Sequence, residues 1–214
     1  LNKIPNLSWR IIVAENGSSD GTYQLVNSAH LPNVTIFSAK RGGKGNAIKE
    51  SLAFAQGDYF AFIDADLSPD PSALSQMISQ LQKEDVHLVV SSRFHPESVV
   101  DRNLYRHTTS WLFNFLAQLI IGIHVTDSQC GLKIMDKIGK EFLKNCINDT
   151  WLLDLELIAR MEHAGYLVSS SPVIWREYFY PNRKSKLNVF HDGMRAVWEM
   201  LLLRKQIYKS NPPK

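Results

Sequence analysis

Two carboxylates one residue apart, Asp64-Ala65-Asp66, follow a short apolar run and carry the clearest chemistry in the chain. At the C-terminal end of a buried strand, such a pair projects into the crevice where open α/β sheets bind ligands. Oxygen donors spaced in this way suit a hard divalent cation, Mg²⁺ or Mn²⁺, which also bridges substrate phosphates. A solvated turn is the competing reading, because Asp-x-Asp is a common tripeptide. A second pattern is Arg41-Gly42-Gly43-Lys44-Gly45-Asn46, placed ahead of a helical stretch. Glycines permit close backbone approach, and a helix N-terminus attracts phosphate. Lys44 is followed by Gly45 rather than Ser or Thr, so this is no Walker loop, and a flexible solvated loop would look similar. Arg93, Arg102 and Arg106 form a third set, with Ser110 one turn beyond Arg106 on the same helix face. Guanidinium groups clamp phosphate well, although exposed arginines at a helix start have the same pattern.

The polar segment Asp127-Ser128-Gln129-Cys130-Gly131-Leu132-Lys133 lies between apolar stretches. No histidine stands in a recognisable relation to Cys130, which argues against a cysteine nucleophile. Asp154 and Glu156 open a helix, where the helix dipole accounts for them without function. The seven histidines show no ligand spacing for zinc.

These residues need a scaffold, and the periodicity supplies one. Strands are expected over 10–14, 33–37, 58–63, 86–91 and 166–175, with helices over 22–29, 46–56 and from Pro71 to Gln82. Ser19 or Asp20 is expected to cap the first helix. The third strand is apolar throughout and reads as central, covered on both faces. The alternation means βαβ units and a mainly parallel α/β sheet. The second half holds helices over 104–123, 151–164 and 189–208 and an aromatic, basic loop over 178–186. The chain divides into a catalytic domain, 1–188, and an amphipathic C-terminal helix with its tail, 189–214.

Composition excludes several classes. The 214 residues are 44% hydrophobic and 21% charged, a globular composition. Two cysteines exclude a disulfide scaffold. A net charge of +3 without a basic stripe argues against nucleic acid as a partner. No run reaches the roughly 18 apolar residues of a membrane span, and the first ten residues do not read as a secretory signal.

The order of the motifs resembles a known family. Ile12-Val13-Ala14-Glu15-Asn16-Gly17-Ser18-Ser19-Asp20-Gly21-Thr22 is similar to the VVDDGSSDGT signature of glycosyltransferase family 2, the inverting enzymes of GT-A fold, and Asp64-Ala65-Asp66 falls at that family's DxD motif. Ser91-Ser92-Arg93-Phe94, the 127–133 segment, Trp151–Leu157, Trp175-Arg176-Glu177 and Ser185-Lys186-Leu187 resemble the dolichyl-phosphate glucose and mannose synthase branch, nearest its glucosyltransferase side. The resemblance covers about residues 10–208.

It implies roles for individual positions. Glu15, Asn16 and Gly17 would meet the nucleotide, and Lys44 its base or phosphates. Asp64 and Asp66 would meet the metal and diphosphate. Arg93, Arg106 and Ser110 would hold an acceptor phosphate. Asp127, Gln129 and Asp154 would line the sugar and reaction pocket, and Lys186 would belong to a closing loop. The implied reaction moves a hexose, glucose first, from UDP-glucose or GDP-mannose to a polyprenyl phosphate at the cytoplasmic face of a membrane. A non-lipid acceptor and a non-catalytic binding module are the alternatives. Departures are Glu15-Asn16 for the usual Asp-Asp, Ser68 where mannose synthases often carry Gln, and a family first strand that would precede Leu1. Without that strand, the chain alone is expected to bind nucleotide poorly. Trp111–Ile121 and Val189–Tyr208 read as interfacial helices; for the former a buried core helix is an equal alternative.

Overall fold

The computed structural model describes residues 7–83, 85–177 and 189–210, with the side chains of 189–192 and 210 left aside. Lys186 and the rest of 178–188 lie outside the described residues.

β-Branched and aromatic runs form the strands. β1 (Ile11–Glu15) pairs in parallel with β2 (Val34–Ser38). A four-stranded sheet has the order β3 (Phe60–Ile63), β6 (Leu132–Met135), β4 (Val86–Ser92), β7 (Leu167–Pro172). β4 and β7 are parallel, whereas β6 runs antiparallel to both β3 and β4. A short parallel pair, β5 (Val99–Asp101) and β8 (Ile174–Arg176), stands apart.

The alternation of side chains along β4 divides the core. Leu88 and Val90 face one layer, with Met135, the buried side of α4 (Leu104–Ile121), nearly all of α6 (Leu153–His163) and α7 (Val189–Ser210). Val89 faces the other, with Leu132, Ile134 and α3 (Ala73–Leu81). This is an α/β/α arrangement with flanking helices.

Local signals explain the helix boundaries. Asn103 caps α4 by accepting the Tyr105 N–H at 2.9 Å, and Gly122 ends it at φ 85°. Asp136 caps α5 (Lys137–Lys144) by accepting the N–H groups of Ile138 and Gly139. α1 (Thr22–Ser28) follows a left-handed Gly21. Asp20 still serves that helix end, accepting from the Thr22 N–H at 3.1 Å and hydroxyl at 2.6 Å.

Four expectations need correction. The third strand is not central: β3 has β6 as its only strand neighbour among the described residues, and it buries Phe62, exposes Ala61 and leaves Phe60 and Ile63 partly covered. The run 166–175 is two strands, because the chain leaves the main sheet after Pro172 to pair with β5. β5 and α5 were not anticipated, being a three-residue strand and a helix with few apolar residues. α2 (Lys44–Ser51) starts two residues early, so Lys44 sits on its first turn.

α4 packs into the core along one side and presents apolar side chains on the other. It buries Asn114, Ala117 and Ile121 and exposes Trp111, Leu112, Phe115 and Leu119. α7 lies against α4, burying Ala196, Met200, Leu203 and Ile207 in the main core and exposing Met194, Trp198, Leu201 and Leu202. Arg204 ties the two, donating to the Ile120 carbonyl at 2.6 Å. No helix among the described residues is long and apolar enough to cross a membrane.

Candidate active site

Asp64 leaves the end of β3 and donates its N–H to the Gly131 carbonyl at 3.0 Å. A Cβ at Gly131 would stand 2.2 Å from Asp64 Oδ2, so the bare backbone there is what admits the carboxylate. Asp64 Oδ1 pairs with Lys44 Nζ at 3.0 Å, and the same ammonium lies 3.0 Å from Asp154. Asp154 is fully buried and meets a second cation, Lys133, also fully buried, at 2.6 Å. These contacts to Asp154 are ion pairs rather than well-angled hydrogen bonds. Burial opposes the charge of Asp154, but Lys133 and Lys44 outweigh it and hold its pKa below the ordinary carboxylate range. Burial likewise opposes the charge of Lys44, and Asp154 and Asp64 outweigh it, raising that pKa.

Asp66 is exposed, two residues on, and accepts the Ser68 N–H through Oδ1 at 3.0 Å. Its other oxygen has no partner among the described residues. Two carboxylates, one of them with an open oxygen, fit a hard divalent cation that takes its remaining ligands from phosphate and water. No cluster of three or more His, Cys, Asp or Glu able to hold a metal by itself occurs among the described residues. The site therefore fits a metal brought in with, or completed by, its substrate.

The glycine-rich loop behaves differently from a phosphate cradle. Cβ atoms at Gly43 and Gly45 would strike the backbone of Asn148–Thr150 at 2.4–2.9 Å, and the Asn46 N–H donates to the Asp149 carbonyl at 3.0 Å. These glycines bring α2 against the 148–150 segment, which aims Lys44 at the two aspartates. Asn16 joins the same loop, accepting the Gly43 N–H at 2.7 Å, beside Gly17 at φ 75°. Glu15 is buried and turned inward: it accepts from the Ser38 hydroxyl at 2.5 Å and from the Ser18 N–H. Those donors, Ser38 first, keep its carboxyl below the usual range.

The second charged centre surrounds Asp127. Its fully buried carboxylate receives Arg93 Nε at 2.7 Å, Arg93 Nη2 at 2.8 Å and the Arg93 N–H at 3.0 Å. Asn114 Nδ2 and the Gln129 N–H add longer bonds at 3.3 Å. The bidentate pair outweighs burial for both partners, so the Asp127 pKa falls and the Arg93 pKa rises. The Arg93 guanidinium also lies 4.8 Å from the Trp175 ring. Arg102 Nη1 donates to Ser110 at 2.7 Å, and Arg106 Nη1 donates to Glu177 at 2.5 Å. Gln129 Nε2, Arg102 Nε and Trp175 Nε1 are buried donors without a hydrogen-bond partner among the described residues.

The two centres are linked through the backbone. The segment 127–133 runs between them, with Lys133 bonding the Cys130 carbonyl at 2.7 Å. β8 joins them from the other side. The Arg176 N–H donates to the Ser68 carbonyl at 2.9 Å, and the Asp70 N–H donates to the Ile174 carbonyl at 2.8 Å. Cys130 is buried, and burial followed by Asp127 pushes its thiol up to about 11, so it is no nucleophile.

Sequence reasoning brought most of these residues together but missed Lys133, Gly131, Asn114, Trp175 and Glu177 as members of the site. The helix-dipole account of Asp154 and Glu156 is also corrected. Asp154 answers two lysines, and Glu156 accepts the N–H groups of Ile147 and Asn148 and Arg160 Nε. A Lys at the polar end of an otherwise apolar strand was the available signal for Lys133.

Comparison with known proteins places the chain among its relatives. The chain is 28% identical to the glycosyltransferase AglD of Haloferax volcanii over 95% of its own length and 34% of that protein. It is 29% identical to the dolichyl-phosphate beta-glucosyltransferase of Drosophila melanogaster, over 93% of this chain and 64% of that one. The chain thus spans about a third of the first relative and under two thirds of the second. Its fold superposes with a TM-score of 0.64 on glucosyl-3-phosphoglycerate synthase of Mycobacterium tuberculosis. That enzyme was crystallised with Mn²⁺, UDP-glucose and glycerol 3-phosphate, and the match has 22% identity over 90% of this chain and 68% of that one. A family model described as Glycosyl transferase family 2 matches residues 1–139, nearly two thirds of the chain and the stretch carrying Lys44, Asp64, Asp66, Arg93 and Asp127, and the chain belongs to that family.

Proposed function

We propose that the protein transfers a hexose, glucose first, from a nucleotide sugar to a polyprenyl monophosphate with inversion at the anomeric carbon. The observation that carries this reading is the junction of a carboxylate centre, Asp64 and Asp66, with an arginine centre, Arg93, Arg102 and Arg106, across one short segment. The names of the relatives favour glucose and a dolichyl-type acceptor.

The chemistry asks for positioning and charge compensation. A phosphate monoester is largely dianionic at pH 7, so its oxygen attacks without a general base. That oxygen bonds the anomeric carbon from one face while the bond to the diphosphate oxygen breaks on the other, and both electrons leave with the diphosphate. Arg102 and Arg106 would receive the acceptor phosphate. Arg93 and Asp127, locked together, would hold the floor of the site and keep Gln129 and Trp175 in place. Asp154 would keep Lys44 extended toward the donor diphosphate. Glu15, Asn16 and Gly17 would border the nucleotide; Lys186 would close over it. Asp64 and Asp66 would hold Mg²⁺ or Mn²⁺, which would supply charge stabilisation for the departing diphosphate.

A lipid acceptor also needs a surface. The exposed faces of α4 and α7 present Trp111, Leu112, Phe115, Leu119, Trp198 and Leu202 beside Arg195 and Lys205, an amphipathic pattern suited to the cytoplasmic face of a bilayer. The test is transfer of labelled sugar from UDP-glucose and GDP-mannose to a polyprenyl phosphate, with Mn²⁺ or Mg²⁺, against glycerol phosphate and a polyprenyl alcohol. Lipid-linked product from UDP-glucose, lost at least tenfold in Asp66→Ala, is expected. Turnover confined to the soluble phosphate, or nucleotide binding without turnover, would overturn the reading.

A further inference from the structure

Glu177 follows β8 and continues its pairing, its N–H donating to the Asp101 carbonyl at 3.2 Å. Its side chain is about nine-tenths buried, and Oε1 lies 2.5 Å from Arg106 Nη1 and 3.7 Å from Arg102 Nε. The other oxygen, Oε2, is buried with no hydrogen-bond partner among the described residues, and so is Arg102 Nε. Leaving two such groups incompletely bonded in a desolvated place is costly. It indicates a geometry made for a ligand with more acceptor oxygens than a carboxylate offers.

The charge balance points the same way. Three arginines meet there, and Asp127 already neutralises Arg93. Among the described residues Glu177 thus stands as one carboxylate beside two guanidinium groups, Arg102 and Arg106. Burial and then the neighbouring Arg93 depress the Arg102 pKa, Arg106 adding to this and Glu177 and Asp127 acting against it, as expected where cationic charge is in surplus. A phosphate monoester brings about two negative charges and three terminal oxygens. It is a better partner for that surplus than the carboxylate, and like charges cannot occupy the same donors together.

We propose that Glu177 is an internal counter-anion standing in for the acceptor's phosphate, which holds Arg102 and Arg106 in place and yields them only to a more highly charged phosphate monoester. Glu177 is thereby a specificity-determining residue: neutral and singly charged headgroups fail to displace it. The inference rests on the reading that this cluster receives the acceptor phosphate.

Calorimetric titration of the chain with farnesyl phosphate and with its monomethyl phosphodiester, in the absence of donor, separates the two ideas. Glu177→Gln keeps the shape and removes the competing charge. It is expected to bind farnesyl phosphate at least fivefold more tightly and to lose at least fivefold of the preference for monoester over diester, while the donor KM stays unchanged. Arg102→Ala is expected to abolish the gain in the Glu177→Gln background. Equal or weaker monoester binding by Glu177→Gln, with its melting temperature within a few degrees of the parent, overturns the proposal. If Glu177→Gln does not fold, Glu177→Asp, too short to span both arginines, must show the same gain or the proposal falls. Tightened binding without any sugar transfer to polyprenyl phosphate would keep the exchange and refute the proposed reaction instead.

Discussion

Asp154→Asn is the sharpest perturbation the site permits. The carboxylate has no solvent exposure and answers two ammonium groups, Lys133 at 2.6 Å and Lys44 at 3.0 Å. In the variant, Lys133 remains fully buried with the Cys130 carbonyl at 2.7 Å and the Phe62 ring at 5.6 Å as its remaining partners. An uncompensated buried charge of this kind costs about 3–5 kcal/mol. Lys44 loses less, ~1 kcal/mol, because its side chain is 30% exposed and it keeps Asp64. The expected loss in unfolding free energy is therefore about 4–6 kcal/mol, read by urea denaturation at pH 7. Lys133→Met combined with Asp154→Leu removes charge from both sides and should cost no more than about 2 kcal/mol, less than Asp154→Asn alone. The acid limb supplies an independent reading. A carboxyl whose folded pKa is lowered contributes stability in full above its unfolded value, about 3.9, and loses it as pH falls through the lower folded value. The parent should thus lose stability on acidification faster than Asp154→Asn, the gap between the two curves narrowing by at most about 1.4 kcal/mol per pH unit as pH falls below about 3.9. A cost under 1 kcal/mol for Asp154→Asn, or parallel acid limbs, would refute the argument.

Two further outcomes follow from the geometry. Gly131→Ala places a methyl against Asp64 Oδ2, so the carboxylate must swing away from Lys44; sugar transfer is expected to fall at least tenfold at saturating Mn²⁺, measured as kcat, with the far-ultraviolet circular dichroism unchanged. Trp111→Ser with Trp198→Ser removes two exposed indoles from the α4 and α7 faces; because each buried aromatic contributes about 1.5–3 kcal/mol, partitioning onto vesicles containing one-third anionic lipid, measured by flotation, should drop by tenfold or more, and an unchanged partition would remove that face from the membrane reading.

What the sequence disclosed and what it concealed divide along sequence separation. Asp64 and Asp66 were legible because the strand before them and their mutual spacing are local. Arg106 and Ser110 were legible as helix neighbours, yet their actual partners, Glu177 and Arg102, are 71 and 8 residues away and had no local signature. The glycines of 42–45 suggested a ligand's approach, but a glycine reports only that something comes close. Here the neighbour at Gly43 and Gly45 is the chain's own 148–150 backbone, about a hundred residues on. Asn114 and Gln118 are polar residues inside the largely apolar run of α4. They are latches: Asn114 accepts from Ser128, and Gln118 donates to the Val125 carbonyl at 2.9 Å. β6 runs antiparallel to its neighbours, because direction is set by the return path of α4 and the 122–131 connection, which periodicity does not encode.

The polarity of the site then follows from how its charges are paired. On the carboxylate side, Lys44 and Lys133 stand against Asp64, Asp66 and Asp154, leaving one negative charge. On the arginine side, Arg93, Arg102 and Arg106 stand against Asp127 and Glu177 among the described residues, three cations to two anions. Had every group been unpaired, each half would repel itself and the desolvated positions would be untenable. Pairing within each half keeps the fold stable and leaves only a residual charge to recruit a ligand. On the proposed function, the negative half would draw a divalent cation and, through it, a diphosphate, and the positive half a phosphate monoester. With the 127–133 segment and β8 joining the halves, the two anions that would otherwise repel one another would each meet a counter-charge before the sugar passes from diphosphate to monophosphate.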